Sequence, residues 1–238
     1  MIRNFLSTIF INIIKINDSY HIKSYSVKNK KIRKIHEKYF NINDINIQKY
    51  INFLSQQHYF YYVSYMFQGE QDLILNNMTN NEYNIKQIDN FYIKILKKDL
   101  SIFNNLKIDL LYSPFMILHK LMSNIIYTKT TLLALINENY LTIIISDKTI
   151  KIAKHINLNN INNIDEYLNN FLKAYYTNEN YDSNFIENII IYEFNTQKFN
   201  IQNQLKKILL IEPKIIKLDI FEIMLQLISI DLGVKIEI

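Results

Sequence analysis

The sequence predicts an α/β protein in which one programme of elements runs twice, and three observations predict it. Runs with the two-residue spacing of strands alternate with runs spaced as amphipathic helices. Their order recurs: three strands, then helix, strand, helix, strand, helix in each half. The 238 residues are 49% apolar, with 18 Tyr and 14 Phe, far from the composition of a disordered chain. A chain of this length buries roughly 70% of its unfolded surface.

The first half opens with strand-like spacing from Leu6 to Ile16 and from Tyr20 to Val27, joined by the good turn pair Asn17-Asp18. A third short strand around Lys31 to Ile35 completes a meander. Asp44 is a helix N-cap candidate, and Ile47, Tyr50, Ile51 and Leu54 recur at i, i+3, i+4, i+7 in a helix ending near Gln57. Tyr59 to Phe67 reads as a buried strand. Residues 68–87 are polar, with Gly69 and the pairs Asn76-Asn77 and Asn80-Asn81, and predict an irregular loop. A strand at Phe91 to Leu96, a short helix at Lys98 to Asn105 and a strand at Ile108 to Tyr112 follow. Ser113-Pro114 then opens a helix with Phe115, Leu118, Leu121 and Met122 on its buried stripe.

In the second half, Thr130–Ile136, Tyr140–Ser146 and Thr149–Ile156 form the meander, with turns at Asn137-Glu138-Asn139 and Asp147-Lys148. A helix from Ile164 to Tyr176 carries Tyr167, Leu168, Phe171 and Leu172 on one face. After an Asn-rich loop come a strand at Ile189–Phe194, a helix at Ile201–Ile208, a strand at Lys214–Leu218 and a helix from Asp219 that Gly233 is placed to end. Side chains at the ends of the two halves also match at an offset of 106: Leu110 with Ile216, Phe115 with Phe221, Ile117 with Ile223, Leu118 with Met224, Leu121 with Leu227. A meander followed by alternating helices and strands makes a mixed sheet of the ribonuclease H-like kind, and two such halves make an actin-like fold. The expected halves are 1–126, with the irregular insertion near 68–87, and 127–238.

Composition removes many activities. Zero cysteine excludes disulfides, thiol nucleophiles and cysteine-type zinc sites. With two glycines, Gly69 and Gly233, the chain cannot form a Walker A loop, a G-x-G-x-x-G fingerprint, a kinase glycine loop or a G-x-S-x-G elbow. The 47 Ile and 33 Asn match the amino-acid drift of a very AT-rich genome. The apolar stretch 2–16 is broken by Asn4, Ser7, Thr8, Asn12 and Lys15 and lacks an A-x-A site, so it reads as a strand and not a signal peptide. No run approaches the roughly 20 apolar residues of a membrane span, so a soluble protein is expected, with a membrane surface open to it.

Charge is uneven. The net +5 comes from 27 basic and 22 acidic residues, and the first 40 residues hold nine basic ones against Asp18 and Glu37. The excess lies mainly in Lys28 to Lys38, with Lys28, Lys30, Lys31, Arg33 and Lys34 as the candidate contact residues and Tyr25 and Tyr39 as aromatic neighbours. Two readings stay open: a solvated hairpin edge whose lysines discourage edge-to-edge pairing, or a contact surface for anionic lipid, nucleic acid or an acidic partner.

The stretch Ile108-Asp109-Leu110-Leu111-Tyr112-Ser113-Pro114-Phe115-Met116-Ile117-Leu118, followed by the strands at Thr130–Ile145 and Thr149–His155, resembles the actin-like cytoplasmic module of type IV pilus and type II secretion platforms, of the PilM and GspL type. There it looks like the strand, the "P-F" helix, the hairpin and the returning third strand that begin the second half. The resemblance implies an actin-like fold, inner-membrane assembly-platform partners and a cytoplasmic site at that membrane. It extends to DNA uptake during natural transformation and leaves a homodimer open. Nucleotide-binding members carry a glycine-bearing phosphate hairpin at the start of each half. Here the turns are Asn17-Asp18-Ser19 and Asn137-Glu138-Asn139, without glycine and with Glu138 adding negative charge, so no nucleotide cofactor is expected.

Little other chemistry is left. His21, His36, His58, His119 and His155 are not paired at metal-ligand spacing, so no metal site is expected. Asp165-Glu166 opens a helix, where acids favour its dipole. A ribonuclease H-type nuclease needs several carboxylates at strand ends to hold Mg²⁺, and the first meander offers Asp18 in a turn. The function expected is a non-enzymatic scaffold that holds segments of membrane partners on its sheet edges or in its cleft. The alternative is a nucleic-acid-binding protein working through the basic hairpin.

Overall fold

The computed structural model describes residues 4–42, 44, 46–75, 83–100, 106–125, 129–161, 163–178, 184–194 and 201–237. Along them run β1 (Asn4–Ile16), β2 (Ser19–Lys28), β3 (Lys31–Asn41), α1 (Asn46–Gln56), β4 (His58–Met66), β5 (Gln71–Ile74), β6 (Tyr83–Ile88), β7 (Phe91–Leu96), α2 (Lys97–Leu100), β8 (Leu110–Tyr112) and α3 (Pro114–Met122). There follow β9 (Thr131–Ile136), β10 (Tyr140–Ser146), β11 (Ile150–Asn157), α4 (Ile164–Tyr176), β12 (Asn188–Glu193), α5 (Ile201–Leu209), β13 (Lys214–Lys217) and α6 (Ile220–Asp231).

Two five-stranded sheets carry the same order, β3-β2-β1-β4-β8 and β11-β10-β9-β12-β13. In each, three antiparallel strands are followed by two parallel ones. This is the ribonuclease H-like sheet built twice, an actin-like fold.

By packing, one compact unit comprises Met1–Gln68, Lys98–Ser113 and Asp219–Ile238. Its central strand β1 is buried on both faces, with Ile9, Ile11 and Ile13 alternating with Phe10, Asn12 and Ile14. Helix α1 buries Ile47, Ile51 and Leu54 against β1 and β4, each such side chain contributing about 1.5–3 kcal/mol when fully removed from water. Its start is held by Asp44, whose carboxylate accepts the Asn46 N–H at 2.8 Å, the capping role expected of it. Helix α6 covers the opposite side of β1, where the Asn12 amide reaches the Phe221 carbonyl. Beyond α6, Gly233 takes φ +62 while the Val234 N–H returns to the Ser229 carbonyl at 3.0 Å, the terminating geometry that favours glycine.

The second unit comprises Gly69–Lys97 and Pro114–Leu218. All six residues of β9 are buried: Leu132, Ala134 and Ile136 join Leu168, Phe171, Leu172 and Leu205 in one cluster, while α3 packs on β9 and β10. Counting elements along the chain and grouping them by packing are thus different divisions. The helix that closes each repeat, α3 or α6, packs with residues of the other repeat's sheet, and its matched side chains Phe115 and Phe221, Ile117 and Ile223, Leu118 and Met224, Leu121 and Leu227 are all buried.

Two expectations need correction. The described residues of 68–87 are not irregular throughout, because β5 and β6 flank β7 in a three-stranded sheet, while 76–82 lie outside the described residues. Neither strand advertises itself; they are organised by pairing with β7, which buries Phe91, Ile93 and Ile95, and by the packing of β5 on β11. The Asn pairs at 76–77 and 80–81 lie outside the described residues, as do residues 101–105 of the predicted helix. Second, β3 runs to Asn41, because its pairing with β2 continues to Ser19↔Asn41.

Candidate functional site

The basic hairpin is β2–β3. Its two-residue turn places Asn29 at φ 53 and Lys30 at φ 65, the left-handed pair that a tight hairpin demands. Lys28 is half-buried at the end of β2, and Lys30, Lys31, Arg33 and Lys34 are exposed. Register decides which of them act together. Lys28 lies opposite Lys31, and Ser26 opposite Lys34, but Val27 pairs with Ile32, so Arg33 is an extra residue in a β-bulge. The bulge turns Lys28, Lys31 and Lys34 to one face although the last two are three apart. Like charges directly opposite are unfavourable, so Lys28 and Lys31 hold this pairing at a cost.

The same face continues to His36 and Lys38, which the sequence reading left beyond the strand because it ended it at Ile35. Lys38 is held over the rings of Phe40 and Tyr50, its Nζ 4.9 and 5.1 Å from their centroids. Burial, then Lys34, lowers the His36 pKa; burial, then His36 and Lys34, lowers that of His58. Ser7 Oγ lies 2.8 Å from His58 Nδ1. A serine nucleophile needs a basic histidine oriented by a third group, commonly a carboxylate; here burial, His36 and Lys34 all make His58 less basic. Among the described residues no cluster of His, Asp and Glu is placed to hold a metal ion.

The opposite face of β3 carries Ile35, Glu37 and Tyr39. Ile35 is 52% and Tyr39 60% exposed. Glu37 Oε1 sits 2.5 Å from His21 Nε2, and the His21 ring stacks on Tyr39 at 4.0 Å. Burial, which outweighs the opposing pull of Glu37, lowers the His21 pKa. β3 is an edge of its sheet. At its start the edge is occupied: the Glu237 N–H donates to the Lys30 carbonyl at 2.7 Å, Glu237 forms a parallel bridge with Lys31, and its carboxylate lies 4.0 Å from Lys31 Nζ. Beyond the bulge, Arg33, Lys34 and Lys38 have no carboxylate at ion-pair distance among the described residues.

The β9–β10 hairpin turn is closed on itself. In the β9–β10 turn, Asn137 Oδ1 accepts the N–H groups of Asn139 at 2.9 Å and Tyr140 at 2.7 Å. A phosphate cradle needs such amides free and aimed at the anion. In the β1–β2 turn, Asn17 takes φ 49 in place of glycine, and the Asp18 carbonyl accepts the Ile42 N–H at 2.9 Å. A hollow of about 690 Å³ lies beside Thr130 and Phe185; along it Lys129 pairs with Glu187 at 3.2 Å and Asp147 with Lys151 at 3.1 Å.

Residues 5–119, a little under half of the chain, match a family model described as a domain of unknown function (DUF8569). No curated protein matches the sequence. Among solved structures, a Bacteroides thetaiotaomicron protein with actin-like ATPase fold and unknown function is similar at 13% identity and TM-score 0.55, over 95% of this chain and 99% of that one. The PilM–PilN type IV pilus biogenesis complex is similar at 7% identity and TM-score 0.56, over 87% of each chain. The cytoplasmic domain of EpsL, an inner membrane component of the Vibrio cholerae type II secretion system, aligns at 7% identity and TM-score 0.45, over 94% and 95%. The likeness to the first two is one of fold, actin-like in the first, in line with the resemblance drawn from the sequence.

Proposed function

We propose that this chain is a non-enzymatic scaffold module on the cytoplasmic face of an inner membrane, holding short segments of the membrane proteins of a pilus, type II secretion or DNA-uptake machine. The observation that carries the reading is the β9–β10 turn: the amides of Asn139 and Tyr140 are taken by Asn137, so the fold keeps its sheets and gives up its phosphate cradle. The likeness of fold to the PilM–PilN complex supports the kind of work proposed. No described helix is long and apolar enough to cross a membrane, which suits a peripheral module. Chain segments 1–126 and 127–238 are proposed as the two copies of the duplicated unit.

Two measurements test this. Mg-ATP should shift the melting temperature by less than about 1 °C and release no phosphate. A bound nucleotide at 100 times its dissociation constant adds about 2.7 kcal/mol, or roughly 5–10 °C for a protein of this size, and such a shift overturns the proposal. Affinity purification of the tagged chain from its own cells, after nuclease treatment and mild crosslinking, should recover inner-membrane assembly proteins; recovery of nucleic-acid proteins instead supports the basic hairpin as a nucleic-acid contact.

A further inference from the structure

We propose that the β3 edge from Lys34 to Asn41 is a docking site for one extended segment of a partner protein, which adds as a further strand and alternates acidic with apolar residues. The proposal rests on the scaffold reading and names its contact surface.

Four features converge on that segment. β3 is an outer strand with eight residues beyond its bulge, about 26 Å of ladder at 3.3 Å per residue. A row of unpaired backbone groups on such an edge is a template for another strand. Its two faces differ in chemistry: Lys34, His36 and Lys38 stand on one side, and Ile35 and Tyr39 on the other, with Glu37 between them engaged by His21. A strand laid alongside meets two lysines flanking an imidazole on alternate residues and exposed apolar surface on the residues between. The chain itself supplies the precedent, because Glu237 already uses the same edge on the far side of the bulge, through backbone and carboxylate together.

Charge chooses the occupant. Two copies of β3 placed edge to edge bring lysine against lysine, so the cations that protect the edge from self-pairing select an acidic partner. A phosphate-bearing polymer or a lipid surface would satisfy Lys34 and Lys38 but would leave the ladder and the Ile35–Tyr39 face unused.

The test uses the full chain and an acetylated, amidated decapeptide alternating glutamate with valine and threonine, its twin with lysine for glutamate, a single-stranded oligonucleotide, and vesicles containing phosphatidylserine. Binding is followed by fluorescence anisotropy or sedimentation, and location by amide hydrogen exchange. The glutamate peptide is expected to bind and to slow exchange within Lys34–Asn41, and the lysine twin to do neither. The double substitution Lys34→Glu with Lys38→Glu should weaken binding roughly tenfold, the size of two exposed charge pairs reversed. Ile35→Lys, which leaves the backbone and both lysines in place, should weaken it as well and covers the case in which the double variant fails to fold. Equal binding of both peptides, no binding, protection elsewhere, or stronger protection of these amides by oligonucleotide or vesicles overturns the proposal. In crosslinked purifications, an unchanged partner set with the folded double variant removes the β3 edge and leaves the scaffold reading standing. No membrane partner even with the unaltered chain removes the scaffold reading itself.

Discussion

Phe115→Ala should strip amide protection from β9 and β10, while Phe221→Ala should strip it from β1 and β4. The two side chains open equivalent helices and are 0% and 4% exposed. Truncating a buried phenylalanine costs about 3–5 kcal/mol, a large share of the 5–15 kcal/mol that holds a typical domain. Each helix packs on the central strands of its own compact unit, α3 on β9 and β10 and α6 on β1, so each loss should be local. Phe221 also makes an edge-to-face contact with His21 at 4.6 Å and lies under Lys23 Nζ at 5.8 Å, and the Lys23 ammonium reaches the Asp219 carboxylate at 2.6 Å. Its loss should therefore loosen β2 as well. A chain with two compact units need not unfold in one step, so the readout is exchange resolved by strand and not a single melting temperature. The same strands loosening in both variants would reject this assignment of the helices. Protection lost from β4 and β8 on removing Phe115 would reject it too, because it would put α3 on the sheet that precedes it in the sequence.

That assignment marks a boundary of what the sequence reveals. Periodicity shows that Phe115, Leu118 and Leu121 share a buried stripe; it says nothing of which sheet lies beneath them. Within single elements the reading is close: α4 is expected and observed over Ile164–Tyr176, because acids at its start and four apolar positions at helical spacing are local signals. The β1–β2 turn is legible too, since Asn17 does the work of glycine there. β5 and β6 were hidden because their order comes from a neighbour. Part of the candidate site was hidden for the same reason. The cluster Lys28, Lys30, Lys31, Arg33 and Lys34 is visible as charge, but the bulge at Arg33 that turns Lys28, Lys31 and Lys34 to one face is a matter of register. Missing the extension of β3 to Asn41 also concealed the opposite faces on which Lys38 and Tyr39 stand, and the length of the edge.

Asn12→Asp should be the most damaging single-atom exchange in the first sheet, and its damage should fade in acid. Asn12 stands fully buried in the middle of β1. Its Oδ1 accepts the Ser64 hydroxyl from β4 at 2.8 Å, and its Nδ2 donates to the Phe221 carbonyl of α6 at 3.3 Å. One amide thus ties two strands to a helix, with a donor and an acceptor each aimed at its complement. A carboxylate keeps the acceptor but sets a second negative oxygen against a carbonyl in a dry core. Breaking a buried polar network so as to leave an uncompensated charge costs roughly 3–5 kcal/mol. Asn12→Leu orphans the Ser64 hydroxyl and removes the contact to Phe221 without adding charge, so it should cost about 1–3 kcal/mol. The pH dependence follows from the sign of the shift. Burial raises the carboxyl pKa in the folded state above its unfolded value of about 3.9, so the folded form takes up a proton first, and the deficit against the natural chain shrinks as pH falls through that raised value. Once protonated, the carboxyl can donate to the Phe221 carbonyl as the amide does. Exchange at β1 and β4 amides, compared across pH 7.5 and 4.5 in both variants and the natural chain, checks this. A deficit in Asn12→Asp that does not narrow in acid would show that shape, not charge, sets the requirement at this position.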